Sequence, residues 1–365
     1  MTSRERTFRA LARQPADRIP VDFWASGGTR VMLERRFNVP FDRFLDEQDV
    51  DFRYIAGPRY VGPPLRPGCD LWGVRRTEVR LDLRHGVEAY EEVAESPLAA
   101  AQTAADVVAY PGWPSPGHFD YSGIEAQCDA VHAASRVAVF MGDRLNRIAQ
   151  LKPAMYLRGM EQILTDTVLG PELAEAIFGR IRDFYRGYLE RILAAARGQI
   201  DIVLTGDDFG SQNGLLMSPA AWRQFLQPGF AQYLAAIRAH GARSMHHTCG
   251  AVRDLIPDLV VCGLDILQSV QPEAAGMDLG GLLRDFGDRL CFQGGISIQR
   301  TMPFGDPAAV RAEGRRIAEL VQGRGGYIFC TAHNIQADTP LENVMALLEA
   351  YREYGRGAPP VGLGG

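Results

Sequence analysis

The chain has 365 residues, 46% of them hydrophobic and 23% charged, an ordinary balance for a globular protein with a large core. Its formal charge of −5 gives no electrostatic reason to expect nucleic acid or an anionic membrane surface as a partner. Six scattered cysteines without a C-x-x-C pair read as reduced thiols, and neither a signal-peptide h-region nor an apolar run of bilayer length is present, so a cytoplasmic protein is expected.

In chain order, residues 3–13 have the pattern of a short amphipathic helix, and Arg18 to Trp24 reads as a first strand followed by a turn at Gly27-Gly28. Residues 55–125 are rich in proline, glycine and aromatics, with strand-like patches such as Gly73 to Leu83 that predict hairpins. This stretch is expected to be an elaboration within one domain spanning residues 1–354. From residue 136 the pattern becomes regular. Short apolar runs at Arg136–Gly142, Asp201–Gly206, Ala242–Thr248, Leu264–Val270, Leu290–Gly294 and Gly326–Cys330 alternate with helical stretches at Pro171–Ala196, Pro219–His240, Val252–Cys262 and Pro307–Gln322. Such alternation predicts βαβ units and a parallel sheet, and with two early strands the total is about eight, the (β/α)8 TIM-barrel number. A doubly wound sheet is the alternative, but neither G-x-G-x-x-G nor a Walker A sequence occurs. The Gly/Pro-rich end, residues 355–365, is expected to be a flexible tail.

Functional residues of a barrel sit where strands end. Those ends carry Asp207-Asp208, His246-His247-Thr248-Cys249, Gln268, Gln271, Gln293, and Cys330 with His333-Asn334. His247 and Cys249 are two residues apart, so in an extended chain they face the same way and can share a metal ion. Two ligands are half a site; His333 or Cys330 would supply the third. A core cysteine beside a hydrogen-bonded histidine produces the same pattern. Asp207 and Asp208 can act as acid or base or bind metal, or can cap the next helix or turn. Trp24, Tyr156, Arg158, Gln212, Gln268 and Asn334 are candidate substrate contacts. The single lysine, Lys152, lies in a polar stretch without the apolar pocket that Schiff-base chemistry needs.

Several segments taken together resemble the uroporphyrinogen decarboxylase superfamily: Arg18-Ile-Pro-Val, Asp51-Phe-Arg, Asp70-Leu-Trp-Gly-Val-Arg, Leu157-Arg-Gly-Met-Glu161, Ser218-Pro219 with Pro228, His247-Thr-Cys-Gly250, Gly294-Gly295-Ile296, and Ala332-His-Asn-Ile-Gln336 through Asp338 to Asn343. The resemblance implies a single (β/α)8 barrel, often dimeric, with one of two chemistries. The decarboxylases act without metal or cofactor and hold substrate carboxylates with an arginine-rich Met-Arg-Gln-Ala-Gly-Arg loop. Here that place reads Phe23-Trp-Ala-Ser-Gly-Gly-Thr-Arg30, which argues against uroporphyrinogen as substrate. The cobamide-dependent methyltransferases bind zinc through His-x-Cys and a distant cysteine and take a methyl group from a methylcorrinoid on a partner protein. His247 and Cys249 match their first two ligands; the third place falls on His333, with Cys330 three residues earlier as the alternative. A His/His/Cys site carries less negative charge than His/Cys/Cys, so a thiolate bound there is less electron-rich, which favours water activation or substrate polarisation and leaves the acceptor, a thiol or similar molecule, open. The second chemistry is the expected one. The alternative is a lyase acting on a polar small molecule, with Asp207 or Asp208 as acid or base and His333 orienting the substrate.

Overall fold

In the computed structural model, residues 1–142 and 147–356 are described. Seven strands form one curled parallel sheet in sequential order: β1 Phe52–Ile55, β2 Val137–Phe140, β3 Ile202–Gly206, β4 Arg243–His247, β5 Ile266–Val270, β6 Cys291–Gly294 and β7 Tyr327–Ile328. The predicted first strand is not a regular strand. Pro20, which has no N–H, interrupts the ladder, and the segment pairs only through isolated bridges of Val21 to Phe329 and Ala25 to Ile335. Its backbone still contacts both edges of the sheet: Asp22 N–H donates to the Phe329 carbonyl at 2.8 Å, and Val21 C=O accepts from Asp51 N–H at 2.9 Å.

The six predicted strands after residue 136 all occur, shortened at their ends. The Gly73–Leu83 patch forms Arg75–Asp82, which pairs antiparallel with Val87–Glu95 as a separate hairpin outside the parallel sheet. β1 takes the place in the sheet that the sequence pattern does not mark. Helix Pro171–Ala196 has the predicted bounds, whereas Pro219–His240 divides into Pro219–Phe225 and Gln227–Ala239, because Pro228 starts a new first turn. From residue 357 the predicted tail lies outside the described residues.

Strand alternation sorts the side chains. Phe52, Val137, Val139, Ile202, Leu204, Met245, Ile266, Cys291 and Ile328 form an inner cluster closed at one end by Leu11 and Phe8 of helix Ser3–Leu11. The larger core packs the outer sheet face against the helices. Two residues beyond the inner cluster, on the same face and toward the strand ends, come Gly206, His247, Gln268 and Gln293. The hydrophobic interior thus gives way to a polar layer at the C-terminal rim.

Candidate metal centre and cavity

A cavity of about 560 Å³ opens at this rim, walled by Trp24, Trp72 and Tyr156 and reached by Arg147, Lys152, His247 and His333. His247, Cys249 and His333 each offer one ligand atom, and these atoms lie within 4.8 Å of one another. His247 comes from the end of β4, with Cys249 two residues on. His333 comes from the loop after β7. The Trp24 ring packs against both histidines, with centroids 5.3 Å from His247 and 5.1 Å from His333.

The local chemistry suits a cation. Nδ1 of His247 donates to Oε1 of Gln268, which fixes the tautomer and turns the bare Nε2 toward Cys249 Sγ, 3.4 Å away. Burial holds His247 well below the usual histidine range and His333 down to about 4, so both imidazoles are neutral at pH 7. Burial pushes the Cys249 thiol up to about 12, with Asp208 adding to the effect. The thiol therefore keeps its proton in the absence of a positive charge.

The two adjacent aspartates part company. Asp207 is buried and accepts the N–H groups of Gln150, Leu151 and Lys152 at 2.6, 2.9 and 2.7 Å, capping helix Leu151–Arg158. Burial raises its carboxyl to about 6 against those three donors. Asp208 turns toward the His247–Cys249 pair, behind the cavity wall formed by Lys152. It pairs with Lys152 Nζ, accepts Cys249 N–H at 3.0 Å and lies 3.5 Å from His247 Nε2. Burial opposes its charge, but the Lys152 ammonium and the Cys249 N–H hold it well below the usual carboxylate range.

The remaining candidates divide. Trp24, Tyr156 and Asn334 line the cavity, and Gln268 acts behind it by holding His247. Arg158 is placed elsewhere. Its guanidinium is buried, paired with Asp166 at 2.8 Å and donating to the carbonyls of Leu98, Ala99 and Ala101. Gln212 is exposed and bonds Gln299. Cys330 is fully buried beside Asp22 and Gln293, outside the gathered trio, and burial raises its thiol.

Two residues passed over in the sequence enter the site. Lys152 lines the cavity after all. Burial disfavours its charge, but Asp208 more than offsets this, so the amine stays protonated rather than nucleophilic. Arg147, in the loop after β2, lies over the Trp24 ring at 5.5 Å, and among the described residues no carboxylate is within ion-pair distance of it. Its place in the loop that follows a strand of the parallel sheet is the signal that would have found it.

The family model described as uroporphyrinogen decarboxylase (URO-D) matches residues 149–354. The chain belongs to this family. A protein of Methanosarcina barkeri named methylcobamide:CoM methyltransferase MtaA is 31% identical over 154 residues, 42% of each chain. A uroporphyrinogen decarboxylase of Azoarcus sp. is 26% identical over 199 residues, 51% of this chain and 49% of that one. The chain thus spans about half or less of the length of the curated relatives it matches. A solved structure described as a methyltransferase from Methanosarcina mazei superposes with a TM-score of 0.68 at 18% identity, covering 97% of this chain and 99% of that one, which shows a shared fold. Among the described residues no helix is long and apolar enough to cross a membrane.

Proposed function

We propose that the protein is a zinc-dependent methyltransferase of the corrinoid type, taking a methyl group from a methylcorrinoid on a partner protein and delivering it to a thiol or similar small acceptor. The observation that carries this is the gathering of His247, Cys249 and His333, with the two histidines lining the cavity. The MtaA relative and the family membership support it.

His247, Cys249 and His333 would hold the ion. Two neutral imidazoles and a thiol, with Gln268 fixing one ring, form a donor set suited to zinc. When bound, zinc supplies the Lewis acidity that makes a thiol or a water nucleophilic at neutral pH. Around it, Asp208 keeps the Lys152 ammonium at the cavity wall. Trp24 and Tyr156 wall the cavity, and Arg147 offers a positive charge to an acidic group on the bound molecule.

Metal analysis of protein purified without chelators tests the proposal. The expected outcome is one zinc per chain, lost in Cys249→Ala while that variant stays folded. Zinc-free wild-type protein would sink it. A lyase acting on a polar small molecule is the second reading, favoured by the Asp208–Lys152 pair beside His247. It predicts turnover that survives Cys249→Ala and disappears in Asp208→Asn.

A further inference from the structure

β5 and β6 do not run in even register. Gln268 pairs with Gln293, and the next pair is Val270 with Gly294, so Ser269 is the extra residue of a β-bulge. Ser269 is buried and has φ +80°, in the left-handed region that an L side chain rarely adopts. Glycine would take this conformation without strain. A serine held there points to work for the side chain.

The hydroxyl joins two segments. Ser269 Oγ donates to the Ala332 carbonyl at 2.6 Å, the residue just before His333. It also lies 3.4 Å from Cys249 Sγ. In the metal-free protein the hydroxyl proton goes to Ala332 and the oxygen accepts from the thiol; once Cys249 gives up its proton and binds a cation, the same hydroxyl must donate to the thiolate, so it serves the ligand in both states. The facing backbone is fitted to the bulge. Gly294 has φ +118°, and a Cβ there would lie 2.8 Å from Val270 N and 3.4 Å from Ala332 Cα. The loop carrying His333 thereby packs against the bulge, which stands between it and the loop carrying Cys249.

We infer that Ser269 is a positioning residue of the metal centre: bulged and strained, its hydroxyl ties the Cys249 thiol to the backbone that carries His333 and sets the spacing of these two ligands. This role rests on the metal-site proposal above. Aligning a ligand through an outer hydrogen bond is worth about 10–100-fold in metal affinity.

Two substitutions separate the hydroxyl from the backbone. Ser269→Ala removes the hydroxyl and keeps the strain; Ser269→Gly removes both. Three properties are measured: zinc affinity by competition with a chromophoric chelator, the visible spectrum of the Co²⁺-loaded protein, and the melting temperature of the metal-free protein. Both variants should bind zinc about 10–100-fold more weakly and show altered Co²⁺ ligand-field bands. Metal-free Ser269→Gly should melt at or above the wild-type temperature, so that weaker binding is not a by-product of unfolding. Wild-type affinity and spectrum in both variants would overturn the role, and so would wild-type affinity in Ser269→Gly alone, since the backbone would then be responsible. If the wild-type protein binds neither zinc nor Co²⁺, the metal proposal fails and takes this role with it, an outcome distinct from the other two.

Discussion

The two ends of the sheet treat buried charge in opposite ways. At the N-terminal ends, Asp51, Asp201 and Asp265 each stand one residue before a strand and brace a neighbouring segment by accepting its N–H, from Val21, Ala138 and Ser244 respectively. Each also takes an arginine: Asp51 pairs with Arg6 and Arg18, Asp201 with Arg4, Asp265 with Arg243. At the C-terminal ends polar groups are left over. Arg147 Nε, Gln268 Nε2 and Gln293 Oε1 are buried and have no hydrogen-bond partner among the described residues. Buried polar groups normally find partners, so a rim with spare donors and acceptors is shaped for something other than itself. The closed end holds the fold together, and the open end is available for chemistry.

The largest test of this contrast is at the closed end. Asp51→Ala removes the fully buried carboxylate that Arg6 and Arg18 share, leaving each only its more exposed partner, Asp17 or Asp49, and takes the acceptor from the Val21 N–H. Breaking a buried charge network in this way should cost about 3 kcal/mol, the lower end for a buried pair that loses one member. Denaturant titration should show that loss, while zinc bound per folded chain stays at the wild-type level. A change in zinc content at equal folded fraction would break the separation of the two ends.

The neighbouring carboxylates sharpen it. Asp207→Asn weakens a charge-assisted cap on three N–H groups and should cost about 2 kcal/mol. Asp208, with its side chain 28% exposed, should cost under about 1 kcal/mol as Asn, yet release Lys152 and lower turnover. Equal stability losses would show that Asp208 belongs to the scaffold.

Acid should weaken the open end. His247, His333 and His246 have folded pKa values below the ordinary 6.5, with His333 at about 4 and His246 at about 3. Between those values and 6.5 the unfolded chain binds more protons than the folded one. Their stability contribution is therefore complete above pH 6.5 and lost as pH falls toward 4. Asp207, raised from 3.8 to about 6, works in the opposite sense over its own interval and blunts the slope. For metal-free protein, the fall in stability from pH 6.5 to 4 should be shallower in His333→Gln than in wild type. An unchanged slope would mean that His333 is protonated as easily folded as unfolded.

Much of this division was legible beforehand, for physical reasons. Short apolar runs with polar residues or glycine at or just after their ends mark β2 to β7, because the inner face changes from hydrophobic to polar at the rim. The sequence pattern does not mark β1, because Phe52–Ile55 is four residues long and includes Arg53 and Tyr54, whose polar ends find partners in Asp46 and Asp22. His247 and Cys249 follow from a two-residue period, and His333 from its place after the last strand. Asp207 and Asp208 could not be separated, since adjacent residues leaving a strand point to different sides and only the loop path decides which faces the His247–Cys249 pair. Arg158 could not be excluded for a related reason: its place in the helix-end sequence fits the cavity as well as the carbonyls of residues 98 to 101 that hold it. Lys152 looked polar and remote, and became part of the cavity through the helix that Asp207 caps.

The smallest expected effect bears on Arg147. Gly206 ends β3 at the cavity wall, and a Cβ built there would meet Arg147 Cδ at 2.3 Å. The obstacle is a flexible side chain, not backbone, so Gly206→Ala should cost about 1 kcal/mol or less of stability. The guanidinium must still move, and it lies over the Trp24 ring. Gly206→Ala should therefore change tryptophan emission in a way that disappears in a Trp24→Phe background. A destabilisation as large as that of Asp51→Ala would instead place Gly206 with the scaffold. A silent emission spectrum would show that Arg147 keeps its place despite the added methyl group. The emission change alone, without much loss of stability, is what a rim of movable side chains on a rigid sheet requires.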